Sequence, residues 1–304
     1  MIAAAPPPAE LEGLSLVWRE GVPLAERTTL RIGGPARYLA EVADAEALAA
    51  VLRFGAARGL PVRPLGKGSN VLLPDDGFPG IILVLSGGDF TRLDIEGTTV
   101  RAGGGVSLMK LYVETKERGL SGFENLSGIP SSFAAAIRIN AGSYGTELFE
   151  LLTEVFLVTR AGEPRTLPAA GVKHGYRWTE LLDGDDIVTG GALTLVPKPK
   201  EEIEARFKEV SEKRGKALPK QPNAGSIFKN PPGQFAGKLL EECGLKGRQA
   251  GNAMISPVHA NVIVNLGGAS ARDVLALMDV MRAAVLERFG LELRPEVEVI
   301  RATE

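Results

Sequence analysis

Residues 65–73, Leu-Gly-Lys-Gly-Ser-Asn-Val-Leu-Leu, pass from one apolar run through a tight glycine turn directly into another. That order reads as strand, turn and strand. It leaves no room for the helix that follows the turn in a Walker loop or a G-x-G-x-x-G dinucleotide fingerprint. Two glycines let the backbone approach a ligand closely, and successive N–H groups can line a concavity for phosphate oxygens. Ser69 and Asn70 add short polar side chains. A plain hairpin turn accounts for the same residues, so the segment alone does not choose.

The rest of the chain fits that start. Short β-rich runs at 62–65, 80–85, 98–102, 153–158 and 187–196 alternate with turns, and two helices interrupt them. Asp44 is placed to cap 45–58, whose apolar face is Leu48, Val51 and Leu52, with Gly59 ending it. The second helix, 107–118, stops at Gly119. Beyond Pro197 the composition turns charge-dense and helical in period, with Ile203, Phe207 and Val210 as the buried stripe. A short helix near 235–243, a strand at 262–266, an amphipathic helix at 271–289 and a strand at 291–300 follow. That succession suggests a βαβ-type module. The expected boundaries are an N-terminal extension at 1–20, a first domain at 21–197 and a second at 198–304.

Basic and acidic side chains nearly balance, 35 against 37, so no global field calls for nucleic acid or an anionic membrane. Any anionic ligand must be met locally. One cysteine, Cys243, excludes an internal disulfide, and two histidines, His174 and His259, argue against a zinc centre. No metal is expected. The N-terminus carries no signal-peptide pattern and no apolar run spans a bilayer, which points to a reducing, cytoplasmic setting without membrane insertion. No obligate protein partner is evident.

Four further segments could carry chemistry. Gly128-Ile129-Pro130-Ser131-Ser132 leads into an Ala-rich stretch and then Asn140-Ala141-Gly142-Ser143-Tyr144-Gly145. Pro130 and the serines mark a helix N-terminus, an expected anion site. Arg177 stands between Tyr176 and Trp178, as either a stacked surface cation or a carboxylate clamp. Ser226 follows Gly225 on an apolar segment edged by Lys229 and Asn230. No G-x-S-x-G elbow or His–acid pair activates it, so a hydrogen-bond or proton donor suits it better than an acyl nucleophile. Glu296 and Glu298 share one face of the last strand, which a merely solvated face would also explain.

Eight segments now stand in order. They are Thr29-Leu30-Arg31-Ile32-Gly33-Gly34-Pro35-Ala36, 66–73, Ala102-Gly103-Gly104-Gly105-Val106, 128–145, Tyr176-Arg177, 225–231, His259-Ala260-Asn261-Val262-Ile263-Val264-Asn265 and 295–300. Together they resemble the MurB family, the UDP-N-acetylenolpyruvoylglucosamine reductases, over residues 28–300. The resemblance implies an α+β chain: a two-part FAD-binding domain of the vanillyl-alcohol-oxidase type, then a smaller α/β substrate domain. It implies non-covalent FAD, with Gly66, Lys67, Gly68, Ser69 and Asn70 on its diphosphate. Around the rest of the cofactor it places Arg31, Ile32, Gly33, Gly34, Gly104, Gly128, Ile129, Pro130, Ser131, Ser132, Asn140, Ala141, Gly142, Tyr144 and Gly145.

The same resemblance makes Arg177, Ser226 and Glu296 catalytic and NADPH the hydride-donating co-substrate. Arg177, with Glu296 sharing the task, would hold charge that develops on the substrate carboxylate, and Ser226 would deliver a proton to carbon. Tyr176, Asn230 and Lys246 are the candidates for holding the sugar nucleotide. Tyrosines occur at 38, 112, 144 and 176 only, so the chain resembles the short form, without a tyrosine-bearing insertion between the Tyr-Arg and serine motifs. Arg301 stands where the family usually shows glycine. The competing expectations are a flavin-dependent sugar or alcohol oxidase and a non-catalytic sugar-nucleotide binder.

Overall fold

The computed structural model describes residues 6–301. The first five residues of the expected N-terminal extension and the last three of the expected C-terminal domain lie outside them. The chain divides into two compact units. The first takes the described residues up to Val22, with Arg37–Gly66 and Pro79–Glu212; the second takes Pro23–Ala36, Lys67–Phe78 and the chain from Lys213 on.

Among the described residues the first unit holds two large sheets, besides three two-stranded ones. One orders four strands as Leu16–Pro23, Pro35–Val42, Phe78–Leu85 and Val62–Pro64. Helix α1, Ala45–Ala57, lies between the second and last of these in sequence, and Asp44 caps it by accepting from Ala47 N–H at 2.8 Å. That N–H, and then the Ser15 hydroxyl, hold the Asp44 carboxyl below its ordinary range. Leu48, Val51 and Leu52 are buried with Trp18, Ile81 and Leu83, as the apolar face predicts. On an area basis each such side chain stabilises the fold by about 2 kcal/mol.

The other sheet is a five-stranded antiparallel one, ordered Pro164–Pro168, Leu152–Val158, Ile187–Thr194, Thr99–Gly103 and Leu93–Glu96. Helices α2, Leu108–Lys116, and α3, Phe133–Arg138, share its core with Val100, Phe123, Val155 and Leu193. Helix α4, Lys200–Ala217, contributes Ile203 to the same core, and Phe207 stacks on Tyr112 at 4.4 Å.

The second unit carries a four-stranded antiparallel sheet, ordered Asn223–Ser226, Val262–Asn265, Ala253–Ile255 and Gln249–Ala250. Helices α5, Ala236–Glu242, and α6, Ala271–Phe289, bury Leu240, Leu277 and Met281 with Ile263, Phe228 and Leu30. Ser270 and Asp273 form a capping box at the start of α6, and Gly290 closes it in the left-handed conformation. Asp75 adds its carboxylate to Ala271 N–H at 2.7 Å and Arg272 N–H at 3.2 Å, tying 67–78 to the helix.

The expected βαβ crossover is not formed. Among the described residues after α6 the chain is a strand only at Glu298–Val299, and this pairs in parallel with Val71–Leu72, outside the four-stranded sheet. The expected strand at 291–300 is cut short because Pro295 has no N–H for a ladder, leaving one isolated bridge to Phe228. Among the described residues no helix is long and apolar enough to cross a membrane.

Candidate active site

In the first unit Gly66 and Gly104 press on the start of α3. A β-carbon on Gly66 would stand 2.5 Å from Ser132 Oγ, and one on Gly104 would stand 2.7 Å from the Ala134 β-carbon. The N-terminus of α3 is not the open anion site that Pro130 suggested. Phe133 N–H donates to Val106 O at 2.7 Å and Ala134 N–H to Gly104 O at 2.9 Å, so those two donors are spent. Ser131 and Ser132 are buried there, while Gly128 and Ile129 are half-buried and Pro130 is exposed.

Lys67, Gly68, Ser69 and Asn70 continue into the second unit. Gly68 has φ +61°, and a β-carbon there would meet Arg27 O at 2.1 Å. Among the described residues, no hydrogen bond takes up the backbone N–H groups of 66–70, although the Gly68 carbonyl accepts from Thr29 N–H at 3.0 Å. Carbonyls engaged inward with N–H groups unclaimed is the polarity that suits a phosphate. Arg31, at φ +56°, and Ile32, Gly33 and Gly34 line an open cleft of about 400 Å³ with Ala25, Asp75 and the start of α6. Asn265, nearly buried, donates to Leu30 O at 2.9 Å and holds that loop.

The segment 140–149 shapes the surroundings of Arg177. Gly142–Ser143 and Thr146–Glu147 form a hairpin whose two turn residues, Tyr144 and Gly145, both have positive φ. Ala141 is buried beneath it. Asn140 is fully buried with its amide committed: Nδ2 donates to Glu147 Oε2 at 2.8 Å and Gly175 O at 3.1 Å, and Oδ1 accepts from Phe149 N–H at 3.1 Å.

Gly175 opens the turn that carries Tyr176 and Arg177, between His174–Gly175 and Trp178–Thr179. Thr179 Oγ1 donates to Arg138 O at 2.5 Å, so both arms are anchored near the end of α3. Arg177 is half-buried at φ +53°, a conformation costly for a non-glycine residue. Its guanidinium lies 5.2 Å from the Tyr176 ring centre, and its Nη1 is 3.2 Å from where a Gly142 β-carbon would sit. A side chain at 142 would make the guanidinium give way by a few tenths of an ångström.

Ser226 and Glu296 belong to the second unit, and the structure brings their segments together. Ser226 ends its strand opposite Val262, after Gly225 at φ +73°. Glu296 N–H donates to Ile227 O at 2.8 Å, and Lys229 N–H to Arg294 O at 2.8 Å. Asn70 holds the other side, giving Nδ2 to Glu296 O at 3.0 Å and accepting from Glu298 N–H at 3.0 Å. Both Ser226 and Glu296 are half-buried. Asn230 Oδ1 accepts from Ala236 N–H at 3.0 Å at the head of α5, and Lys246 pairs with Glu241 at 2.5 Å. Sequence reasoning gave no role to Asn261, Asn265 or Asp75, although asparagines inside the apolar run 260–265 were visible polar exceptions.

His259 is neutral in this setting. Burial, then the Lys246 charge, pushes its imidazole below the ordinary 6.5, and Nδ1 accepts from Asn261 N–H at 3.1 Å. A base whose folded pKa is depressed contributes stability that is full above its unfolded pKa and lost as pH falls. The melting temperature is therefore expected to drop on acidification below about 6.5. His259→Asn keeps an acceptor but does not titrate, so it should lose less between pH 7 and pH 5. Equal acid losses in a calorimetric series would remove His259 from this account.

Comparison with known proteins adds to this geometry. A family model for the C-terminal domain of UDP-N-acetylenolpyruvoylglucosamine reductases matches residues 218–300, and one for an FAD-binding domain matches residues 36–167. Over 282 residues the chain is 43% identical to UDP-N-acetylenolpyruvoylglucosamine reductase 2 of Symbiobacterium thermophilum, covering 92% of this chain and 91% of the relative. The enzyme of the same name from Chloroherpeton thalassium is 43% identical, with 92% of each chain covered. In three dimensions the chain is similar to the crystal structure of UDP-N-acetylenolpyruvylglucosamine reductase (MurB) from Thermus caldophilus. The TM-score is 0.80 at 39% identity, covering 94% of this chain and 99% of that one.

Proposed function

The chain belongs to the UDP-N-acetylenolpyruvoylglucosamine reductase family, and we propose that it performs the family's reaction through Arg177, Ser226 and Glu296. That reaction is the FAD-dependent, NADPH-consuming reduction of the enolpyruvyl ether of UDP-N-acetylglucosamine enolpyruvate to UDP-N-acetylmuramate, a step of peptidoglycan precursor synthesis. The observation that carries the residue assignment is the bond from Glu296 N–H to Ile227 O, which sets the serine- and glutamate-bearing segments side by side.

The residues present fit the cofactor. Gly66 and Gly104 admit no side chain, and the N–H groups of 66–70 are open to a diphosphate. Lys67 to Asn70 would hold that diphosphate, with Arg31–Gly34 and the 128–145 segment around the remainder. Bound FAD supplies the hydride, taken from NADPH, that adds to the β-carbon of the enol ether.

The chain's own residues manage the charge and the proton. As the β-carbon gains hydride, electron density moves into the substrate carboxylate, which becomes enediolate-like. Arg177 is cationic at every working pH and holds that density with a planar pair of donors. Glu296 shares the task, which requires its carboxyl to carry a proton or to be bridged by a donor. Ser226 Oγ then gives its proton to the α-carbon. A hydroxyl is a weak acid, but a carbanion-like carbon is basic enough to take it. Asn230, Lys246 and Tyr176 hold the sugar nucleotide in this reading, and the setting is cytoplasmic.

A two-step anaerobic titration tests it. Acid precipitation should release all yellow colour, because no histidine or cysteine lies in the glycine-rich cofactor segments to tether it. NADPH should bleach the holoprotein, and the enolpyruvyl UDP-sugar should restore the colour without oxygen. Colour returning only with oxygen would support an oxidase, and a colourless protein a simple binder.

A further inference from the structure

Phe228 is fully buried, and its bridge to Pro295 is of the kind in which the two residues do not bond each other. The flanking bonds do the pairing: Lys229 N–H to Arg294 O, and Glu296 N–H to Ile227 O. The N–H and carbonyl of Phe228 therefore point the opposite way. On that side the ladder with Val262–Asn265 has already ended, at Ser226 opposite Val262. Without a further partner both groups would be orphaned in the core, which folded chains avoid.

Asn261 supplies the partner. It is 2% exposed. Its Oδ1 accepts from Phe228 N–H at 3.0 Å and its Nδ2 donates to Phe228 O at 2.8 Å, while its backbone carbonyl accepts from Ile227 N–H at 2.8 Å. One side-chain amide thus acts as an extra strand residue. A carboxamide offers donor and acceptor together in this geometry at any pH; an ionised aspartate would only accept, and leucine would do neither.

We propose that Asn261 is a positioning residue for the reduction, fixing the Ile227–Phe228 dipeptide from whose two sides Ser226 and Glu296 take their places. The inference rests on the functional reading above. Ser226 immediately precedes the clamped dipeptide, and Glu296 is bonded to its first carbonyl. A shift of this dipeptide moves the proton donor and the carboxyl together, and a displacement of about 1 Å at a reacting group can cost about 10²-fold in rate.

Asn261→Asp in the holoenzyme is the test. Run at a pH high enough to ionise this buried carboxyl, it keeps the acceptor for Phe228 N–H but sets a second acceptor against Phe228 O. FAD should be retained and NADPH bleaching should stay within a few-fold. Reoxidation by saturating enolpyruvyl substrate should slow by about 10- to 10²-fold. In a Ser226→Ala background the same change should cost less than in the parent, because only Glu296 is then left to displace. Should Asn261→Asp lose FAD, Asn261→Gln keeps both amide groups on a longer stem and carries the same comparison, with a smaller slowing. Equal slowing of both half-reactions, or the same factor in both backgrounds, overturns the proposal and leaves Asn261 a packing residue. A parent enzyme whose bleached flavin the substrate cannot reoxidise overturns the functional reading itself, and this proposal with it.

Discussion

Ser226→Ala is expected to leave anaerobic bleaching by NADPH within a few-fold of the parent and to slow reoxidation by the enolpyruvyl substrate about 10²- to 10⁴-fold, the usual reach of a positioned acid. The asymmetry follows from the chemistry. Reduction of the flavin moves hydride between cofactors, whereas reduction of the enol ether also puts a proton on carbon. The strand that carries Ser226 is held through backbone bonds and through Asn223 Oδ1, which accepts from Gly225 N–H at 2.9 Å. Removing one hydroxyl from that strand should leave the fold standing. Ser226→Cys should recover part of the loss, because a thiol also donates a proton, though its larger sulfur sits differently. Stopped-flow traces of both halves on one preparation decide it. If both slow equally, Ser226 shapes the site and does not donate the proton.

Local structure was legible in the sequence because local chemistry writes it. Asp44 and Gly59 bracket α1, Ser107 caps α2 by accepting from Lys110 N–H, and the helix expected at 271–289 is α6 with the same bounds. The strands at 62–64, 78–85, 99–103, 152–158 and 187–194 lie within two residues of their expected limits.

Partnership was not legible. The segments 23–36 and 67–78 join the C-terminal unit through contacts such as Thr29 Oγ1 to Asn223 O at 2.7 Å, whose partners stand 194 positions apart. A composition shift near Pro197 has no access to them. Alternation at 291–300 reported a half-buried face but not what faces it, so a two-residue ladder with Val71–Leu72 was read as a longer strand in another sheet.

The candidate site divides along the same line. Arg177, Ser226 and Glu296 could be named from motif order. The hydrogen-bonding roles of the asparagines behind them could not, even for Asn70 and Asn140, which motif order did name, because an amide's role depends on which backbone groups the fold leaves unpaired. Asn140 serves Gly175 and Phe149, Asn70 serves Glu296, and Asn261 serves Phe228. None of those needs exists until the ladders are drawn.

Arg177→Lys is the sharpest test of the charge-holding role. Lysine keeps the positive charge and tolerates the φ of +53° no worse than arginine, so the backbone term cancels in the comparison. What it loses is the planar fork that grips a carboxylate with two parallel donors. Substrate reduction is expected to fall by at least about 10²-fold, the cost of removing one preorganised donor where charge develops. FAD content and NADPH bleaching should hold, because Asn140 and Thr179 anchor the turn independently of the head group at 177. The competing account is already visible in the structure: the guanidinium lies over the Tyr176 ring, and a stacked cation needs no substrate to justify it. Such a cation survives replacement by lysine with little loss. Near-normal turnover in Arg177→Lys would therefore assign the residue to the surface and leave Glu296 to hold the carboxylate without it.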